Sequence, residues 1–251
     1  MIDLTGKRAL VTGGSRGIGA ATARLLARCG ADVAIAYRSR VAPAEVLAND
    51  LRLAGVRSIA VAVELSERGS VEAMYERVDR EFGGLDIFVG NAGIWPVEEA
   101  PVREMSDDRW RRTMAENNDG MFYSTRGALR LMQRGGRLVL VASTAGQRGE
   151  AMHADYAASK GAMISFVKSV AIEVARHDIT VNGVAPGWVD TDMCAEVYAD
   201  GGKERIASAI PVGRVATPDD IAAPIVFLCS THARYITGEI LNVNGGSVLC
   251  G

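Results

Sequence analysis

Cysteine is sparse in this chain of 251 residues: Cys29, Cys194, Cys229 and Cys250 form no CxxC pair and no regular framework. Disulfide staples belong to small secreted domains with too little core, so these four are expected to be free thiols in a reducing compartment. Histidine is scarcer still, and the three residues join no Cys/His cluster, so a structural zinc site is not expected. Charge of either sign is nowhere in excess: 28 Lys and Arg against 30 Asp and Glu leave a net charge of -2. No basic block or field therefore points to nucleic acid. No apolar run reaches the roughly 20 residues that cross a bilayer. The opening Met1–Lys7 leads into no signal-peptide pattern. A cytoplasmic location is the resulting expectation. Pro- or Ser-rich linkers and fixed-period repeats are also missing, so residues 1–251 are expected to form a single domain.

The chain does have enough apolar residues (48%) for a sizeable core, and they are arranged in a particular way. Short apolar runs occur at Ala9–Thr12, Asp32–Ala36, Ser58–Val63, Leu85–Gly90, Arg137–Ala142, Ile179–Val184 and Ile240–Val243. Helical stretches fall between them at Ile18–Arg28, Ala44–Ala54, Val71–Phe82, Asp107–Met132, Tyr156–Arg176 and Ile221–Leu228. The runs are continuous rather than alternating, as in strands buried on both faces. Strand–helix alternation implies parallel pairing through right-handed crossovers. The expected fold is a doubly wound parallel α/β sheet of about seven strands with helices on both faces. Arg40–Pro43 and Thr191–Pro211 read as surface loops.

After the first run comes Thr12-Gly13-Gly14-Ser15-Arg16-Gly17-Ile18-Gly19, leading into a helix. Glycines there permit a tight turn and bring backbone amides close to a pyrophosphate, and the helix N-terminus adds partial positive charge. The spacing is Gly13-x-x-x-Gly17-x-Gly19, not the GxGxxG dinucleotide fingerprint, and a tight turn without a ligand is the alternative. The second run ends Ala36-Tyr37-Arg38-Ser39. A carboxylate at that point would hold a ribose 2′-hydroxyl; Arg38, with Arg16, suits a 2′-phosphate instead. NADP(H) is accordingly expected over NAD(H), the alternative being two solvated arginines.

Tyr156 and Lys160 are four residues apart on one helical face. A free phenol titrates near pH ~10, and an adjacent ammonium would lower that value towards a useful acid–base range. Such pairs also occur on ordinary helices. Ser143 follows the fifth apolar run, at the carboxyl end of an expected strand, where open α/β sheets bind ligands. Its hydroxyl there could donate to a carbonyl oxygen as charge develops, or simply cap a turn.

Together these stretches resemble the short-chain dehydrogenase/reductase family over essentially the whole chain. The matching motifs are Thr12–Gly19, Asn91-Ala92-Gly93, Asn117-x-x-Gly120, Ser143, Tyr156-x-x-x-Lys160, Pro186-Gly187, Thr237-Gly238-Glu239 and Asn244-Gly245-Gly246. The resemblance implies a Rossmann-type fold and a catalytic set of Tyr156 as general acid, Lys160, Ser143 and Asn117, the last holding a relay water. Asn118 competes for that role, and the spacing to Gly120 selects Asn117. It implies cofactor contacts from Gly13, Ser15, Arg16, Gly17, Ile18 and Gly19 in the turn, and from Tyr37, Arg38 and Ser39 after the second strand. Glu64 and Leu65, Asn91, Ala92 and Gly93, Pro186, Gly187, Val189 and Thr191 complete that set beside Tyr156 and Lys160. Glu64 stands where the family often has Asp, and Gly90 precedes the Asn-Ala-Gly motif in place of a second Asn.

Among subfamilies the chain is most similar to 3-oxoacyl-[acyl carrier protein] reductases, by Ile179–Asn182 and Pro186–Met193. That implies carbonyl reduction of a 3-oxoacyl thioester in fatty acid biosynthesis, and a homotetramer built through the long helices and the C-terminal segment. Acyl carrier protein is then a candidate partner. Its docking arginines would fall on Arg134, which matches, and on His177, which does not, with Arg176 beside it. Trp95, His153 and Trp188 are candidates for the substrate pocket. The same framework serves reductases of sugars, steroids and small ketones, which remain the alternative, with a non-catalytic nucleotide-binding protein a remote one.

Overall fold

The computed structural model describes residues 2–250. Seven parallel strands form one sheet: β1 (Arg8–Thr12), β2 (Asp32–Tyr37), β3 (Ser58–Ala62), β4 (Leu85–Gly90), β5 (Met132–Val141), β6 (Thr180–Pro186) and β7 (Ile240–Val243). Their order is β3-β2-β1-β4-β5-β6-β7, so the chain builds outward from β1 in one direction, then returns to β4 and builds in the other. The adjacent carboxyl ends of β1 and β4 form the switch point, where such sheets open a crevice.

Successive strand residues face opposite sides, and here both sides are covered. In β1, Ala9 and Val11 join the layer formed with α1 (Gly17–Arg28), α2 (Val41–Leu53) and α9 (Pro218–Leu228). Leu10 between them joins the opposite layer with α3 (Arg68–Phe82), α5 (Gly120–Leu131) and α7 (Ala154–Val174). Leu10, Ile35, Phe88, Leu138 and Met163 are all fully buried. This two-sided burial is why the strands read as unbroken apolar runs.

Some element boundaries differ from the sequence reading. The expected single helix Asp107–Met132 is α4 (Asp107–Met114), a π-helical turn Ala115–Asp119 and α5, and Met132 already belongs to β5. A wide turn of this kind changes the direction of its side chains within an otherwise helical pattern, and it carries Asn117. Val41–Pro43 are not loop but the first turn of α2, where a missing proline N–H costs nothing. Thr191–Pro211 is not uniformly loop either: it contains a 3-10 turn at Asp192–Cys194 and α8 (Gly202–Ser208). A short α6 (Thr144–Arg148) follows β5. Three- to seven-residue segments carry too few turns for a period to show.

Candidate active site

The glycine turn between β1 and α1 is shaped by close backbone approach. Gly13 has φ +63°, and a Cβ there would lie 3.0 Å from the Ala92 Cα. At Gly19 a Cβ would lie 2.3 Å from the Gly13 carbonyl oxygen, a contact no side chain tolerates. Asn91, one residue beyond β4, ties the switch point together: its Nδ2 donates to the carbonyls of Thr12 (3.0 Å) and Gly13 (3.3 Å), and its backbone N–H donates to Thr12 Oγ1. The N-cap of α1 is Arg16, which provides no side-chain cap, and the first turn carries no acid. The first residues of α1, Gly17 and Ile18, line the cleft at the positive end of the helix dipole, with no side chain capping their amides.

A single cleft runs along these strand ends. Gly13, Arg16, Gly17, Ile18, Tyr37, Arg38 and Ser39 line one end, with Glu64, Leu65, Asn91, Ala92 and Gly93 beside them. Ser143, Tyr156, Lys160, Pro186, Gly187, Val189 and Thr191 line the other, with Trp95 and Trp188. The structure thus brings most of the expected site residues together. Ser15, Gly19, Asn117 and His153 are not among the lining residues; Asn117 and His153 are buried, and Gly19 packs against the Gly13 carbonyl. Arg40 and Glu116 also line the cleft, as do Glu150 from the stretch Gln147–Asp155 and Asp192, Met193 and Cys194 from the loop Trp188–Pro211, two segments expected to vary with substrate but not resolved to these residues. Their signals were faint: Arg40 is two residues from Arg38, Glu116 adjoins Asn117, and Glu150 sits between Ser143 and Tyr156.

Ser143 is the N-cap of α6, its Oγ accepting from the Ala145 N–H at 3.1 Å. The capping and cleft-lining readings are therefore both true of it. Tyr156 and Lys160 lie in the first turns of α7, with Lys160 Nζ 5.8 Å from the Tyr156 ring centroid. Their electrostatics differ from expectation. Burial pushes the Tyr156 phenol above its ordinary value, opposed by a hydrogen bond from Ser143 and reinforced by the nearby Glu150 and Cys194. Lys160 is buried as well, and desolvation brings the lysine down to about 8. Its Nζ donates to the Val141 carbonyl at 2.7 Å.

Asn117 is buried and fully engaged. Its Oδ1 accepts from the Ile94 N–H (2.8 Å), and its Nδ2 donates to the Ile94 carbonyl (3.0 Å) and to Ser159 Oγ (3.0 Å). Asn118 instead reaches the Ser159 carbonyl. A Cβ built at Gly93 would lie 3.1 Å from Asn117 Oδ1 and 3.5 Å from Lys160 Nζ, so both polar atoms border one point beside that glycine.

At the substrate end, Trp95 stacks on His153 at 4.8 Å and meets Trp188 edge-on at 6.0 Å. His153 is buried as a wall behind Trp95. Burial raises the Glu150 carboxyl above the ordinary range despite His153 and Trp95 nearby. At the cofactor end Arg38 pairs with Glu116 and lies 3.9 Å from Glu64 Oε2. Glu64 also accepts from Ser66. Arg134 and Arg176 are neighbours, with Arg134 donating to the Arg176 carbonyl at 3.2 Å. They sit at the amino-terminal edge of β5 and β6, the opposite edge of the sheet from the cleft.

The geometry is matched by likeness to known proteins. A family model described as enoyl-(acyl carrier protein) reductase matches residues 13–247. The chain is 40% identical over 247 residues to the 3-oxoacyl-[acyl-carrier-protein] reductase of Vibrio cholerae, covering 98% of each chain. It is 38% identical over 251 residues to nodulation protein G of Rhizobium meliloti, covering 99% of this chain and all of that one. The chain belongs to the short-chain dehydrogenase/reductase family. Among solved structures of this family, a short-chain dehydrogenase from Burkholderia cenocepacia in complex with NADP superposes with a TM-score of 0.90 at 37% identity, over 97% of this chain and 98% of that one. A Brucella melitensis relative described as glucose/ribitol dehydrogenase gives 0.92 at 33% identity, over 99% of each chain. The expected doubly wound seven-stranded sheet is the fold observed.

Proposed function

We propose that this short-chain dehydrogenase/reductase uses NADP(H) to reduce a carbonyl to an alcohol, with 3-oxoacyl thioesters as the substrate. The observation that carries the reading is the placement of Ser143, Tyr156 and Lys160 along one cleft with a glycine turn and three arginines, Arg16, Arg38 and Arg40. The residues present fit a phosphorylated dinucleotide. Gly13 and Gly19 leave backbone where a side chain would block the turn, the first amides of α1 are free of side-chain caps to meet an anion, and guanidinium groups stand where a 2′-phosphate would lie. The Burkholderia relative's complex with NADP supports the same choice. When bound, that cofactor supplies the two reducing electrons and one hydrogen to the carbonyl carbon.

The chain's own groups handle the oxygen. Ser143 Oγ and the Tyr156 hydroxyl donate to the carbonyl oxygen and fix its orientation, and Tyr156 delivers the proton that completes the alcohol. A buried phenol kept protonated is suited to donate. Lys160 holds positive charge one turn away and favours the phenolate that remains after transfer. Asn117 secures the backbone at Ile94 and, with Lys160, borders the point beside Gly93 where a relay water would reload the phenol.

For the thioester, support comes from the Vibrio cholerae relative's activity and from the mainly apolar wall of Trp95, Trp188 and Met193. Carrier-protein docking on Arg134 and Arg176 reaches a cleft only across a homo-oligomer, because within one chain they lie at the far edge of the sheet. We infer a homotetramer, with residues 1–251 of each chain as one domain. Sugar reduction is a second reading, favoured by Glu150, whose carboxyl can accept from a substrate hydroxyl, and by the Brucella relative. The test is oxidation of NADPH, and separately NADH, with a short 3-oxoacyl thioester. Rapid NADPH turnover supports the reading. Turnover only with sugars or other ketones replaces the substrate, and none with any carbonyl overturns the function.

A further inference from the structure

Three arginines border the cofactor end of the cleft, and each has a carboxylate partner. Arg38 is taken by Glu116 and Glu64, from the elements behind it. The other two share one acid. Asp192 Oδ2 lies 3.0 Å from Arg16 Nη1 and 3.8 Å from Arg40 Nη2. Arg16 belongs to the glycine turn and Arg40 to the N-cap of α2. Asp192 comes from neither; it opens the short 3-10 turn after β6, on the segment that carries Thr191, Met193 and Cys194 along the substrate side. That segment also passes close to the glycine turn: a Cβ added at Gly17 would lie 3.2 Å from Thr191 Cγ2. One carboxylate oxygen is thus placed between two guanidinium groups, as an oxygen of a bound phosphate would be.

We propose that Asp192 is a cofactor-specificity residue, an internal carboxylate that holds the Arg16–Arg40 pair until the 2′-phosphate of NADP(H) displaces it. The proposal rests on the NADP(H) reading of the cleft. A phosphate monoester carries about -1.5 to -2 charges and three acceptor oxygens against one charge and two oxygens, so it wins the pair. A ribose with a free 2′-hydroxyl has neither, and leaves Asp192 in place. The exchange is inexpensive because all three side chains are about half exposed, at 49% for Arg16, 54% for Arg40 and 58% for Asp192. Pairs of that kind are weak and screened by salt. Displacement also removes the ionic tie between the glycine turn and the segment Asp192–Cys194, so binding of the phosphorylated cofactor is coupled to the substrate wall.

The test is the Kd of NADPH and of NADH, each measured by titration of intrinsic fluorescence at low and high salt, for the wild-type chain, Asp192→Asn, Arg40→Gln and the double variant. Asp192→Asn is expected to tighten NADPH about two- to fivefold at low salt, less at high salt, and to leave NADH unchanged. In the Arg40→Gln background the gain should shrink but not vanish, since one of the two pairs it relieves is gone and the Arg16 pair remains. Equal changes for both cofactors, no change for either, or weaker NADPH binding would each overturn the proposal while leaving the cofactor reading intact. Failure of the wild-type chain to bind NADPH would overturn that reading, and the proposal with it.

Discussion

Tyr156 and Lys160 stand one turn apart on α7, and burial acts on them in opposite chemical directions. It keeps the phenol protonated and favours the neutral amine. Removing the phenolic hydroxyl takes away the proton donor while leaving the ring that lines the cleft. Tyr156→Phe is therefore expected to lower kcat by about a hundredfold or more, with the Kd for NADPH within about twofold, since the hydroxyl faces the carbonyl rather than the phosphates. Single-turnover kinetics and a binding titration check the two halves separately. For Lys160 the consequence appears in stability. Its folded pKa of about 8 lies below the ordinary 10.5. A depressed folded value adds stability above the unfolded pKa and loses it as pH falls through the folded one. Between about pH 8 and 10.5, the wild-type chain should gain about 3 kcal/mol relative to Lys160→Met. Urea denaturation of both at pH 8 and pH 10 reads about 2 kcal/mol of this difference, and the opposing effects of the raised Tyr156 and Cys229 are common to both.

At the scale of elements, the start of α7 is held by charge as well as by packing. Asp155 has no exposed side-chain surface and accepts from Arg109 (3.1 and 3.3 Å) on α4 and from Thr113 Oγ1 (2.8 Å). Burial alone would raise its carboxyl, but these donors and the Tyr156 N–H hold it below the ordinary range. Breaking a buried pair leaves the partner's charge uncompensated, so Asp155→Ala is expected to cost about 3 kcal/mol in chemical denaturation. Loss of the exposed Arg103–Glu104 pair should cost less than about 1 kcal/mol. The π-helical turn after α4 belongs to the same scale. The residues flanking Ala115–Asp119 are helical on both sides, so their period reads as one helix from Asp107 to Met132. The extra residue in the turn becomes visible only when the backbone hydrogen bonds are traced.

For the whole molecule, one chain leaves several large apolar side chains in water. Trp110 and Phe122 are exposed along α4 and α5, Ile172 on α7, and Leu249 near the C-terminus. These are the segments through which the tetramer is proposed. Light scattering should give about four times the 26.6 kDa chain mass. Ile172→Glu, which places charge on that α7 face, should reduce the assembly while the circular dichroism of the fold is kept. A monomer at micromolar concentration for the wild-type chain would end the tetramer proposal and its route for carrier docking.

The primary sequence by itself determined the sheet, because strands buried on both faces must be apolar throughout and crossovers must be long enough to hold a helix. It also determined the glycine turn, where backbone packs on backbone, and the pairing of Tyr156 with Lys160, because one turn of helix fixes that neighbourhood locally. Only the tertiary structure decided what depends on residues far apart in the chain. It brought Asp192 to Arg16 and Arg40, placed Glu116 on Arg38, moved Arg134 to the opposite edge of the sheet, and raised Tyr156, where a lowered value was expected, by burying the phenol itself. Charge pairing and burial are set by distance in space, and no local periodicity in a sequence encodes them.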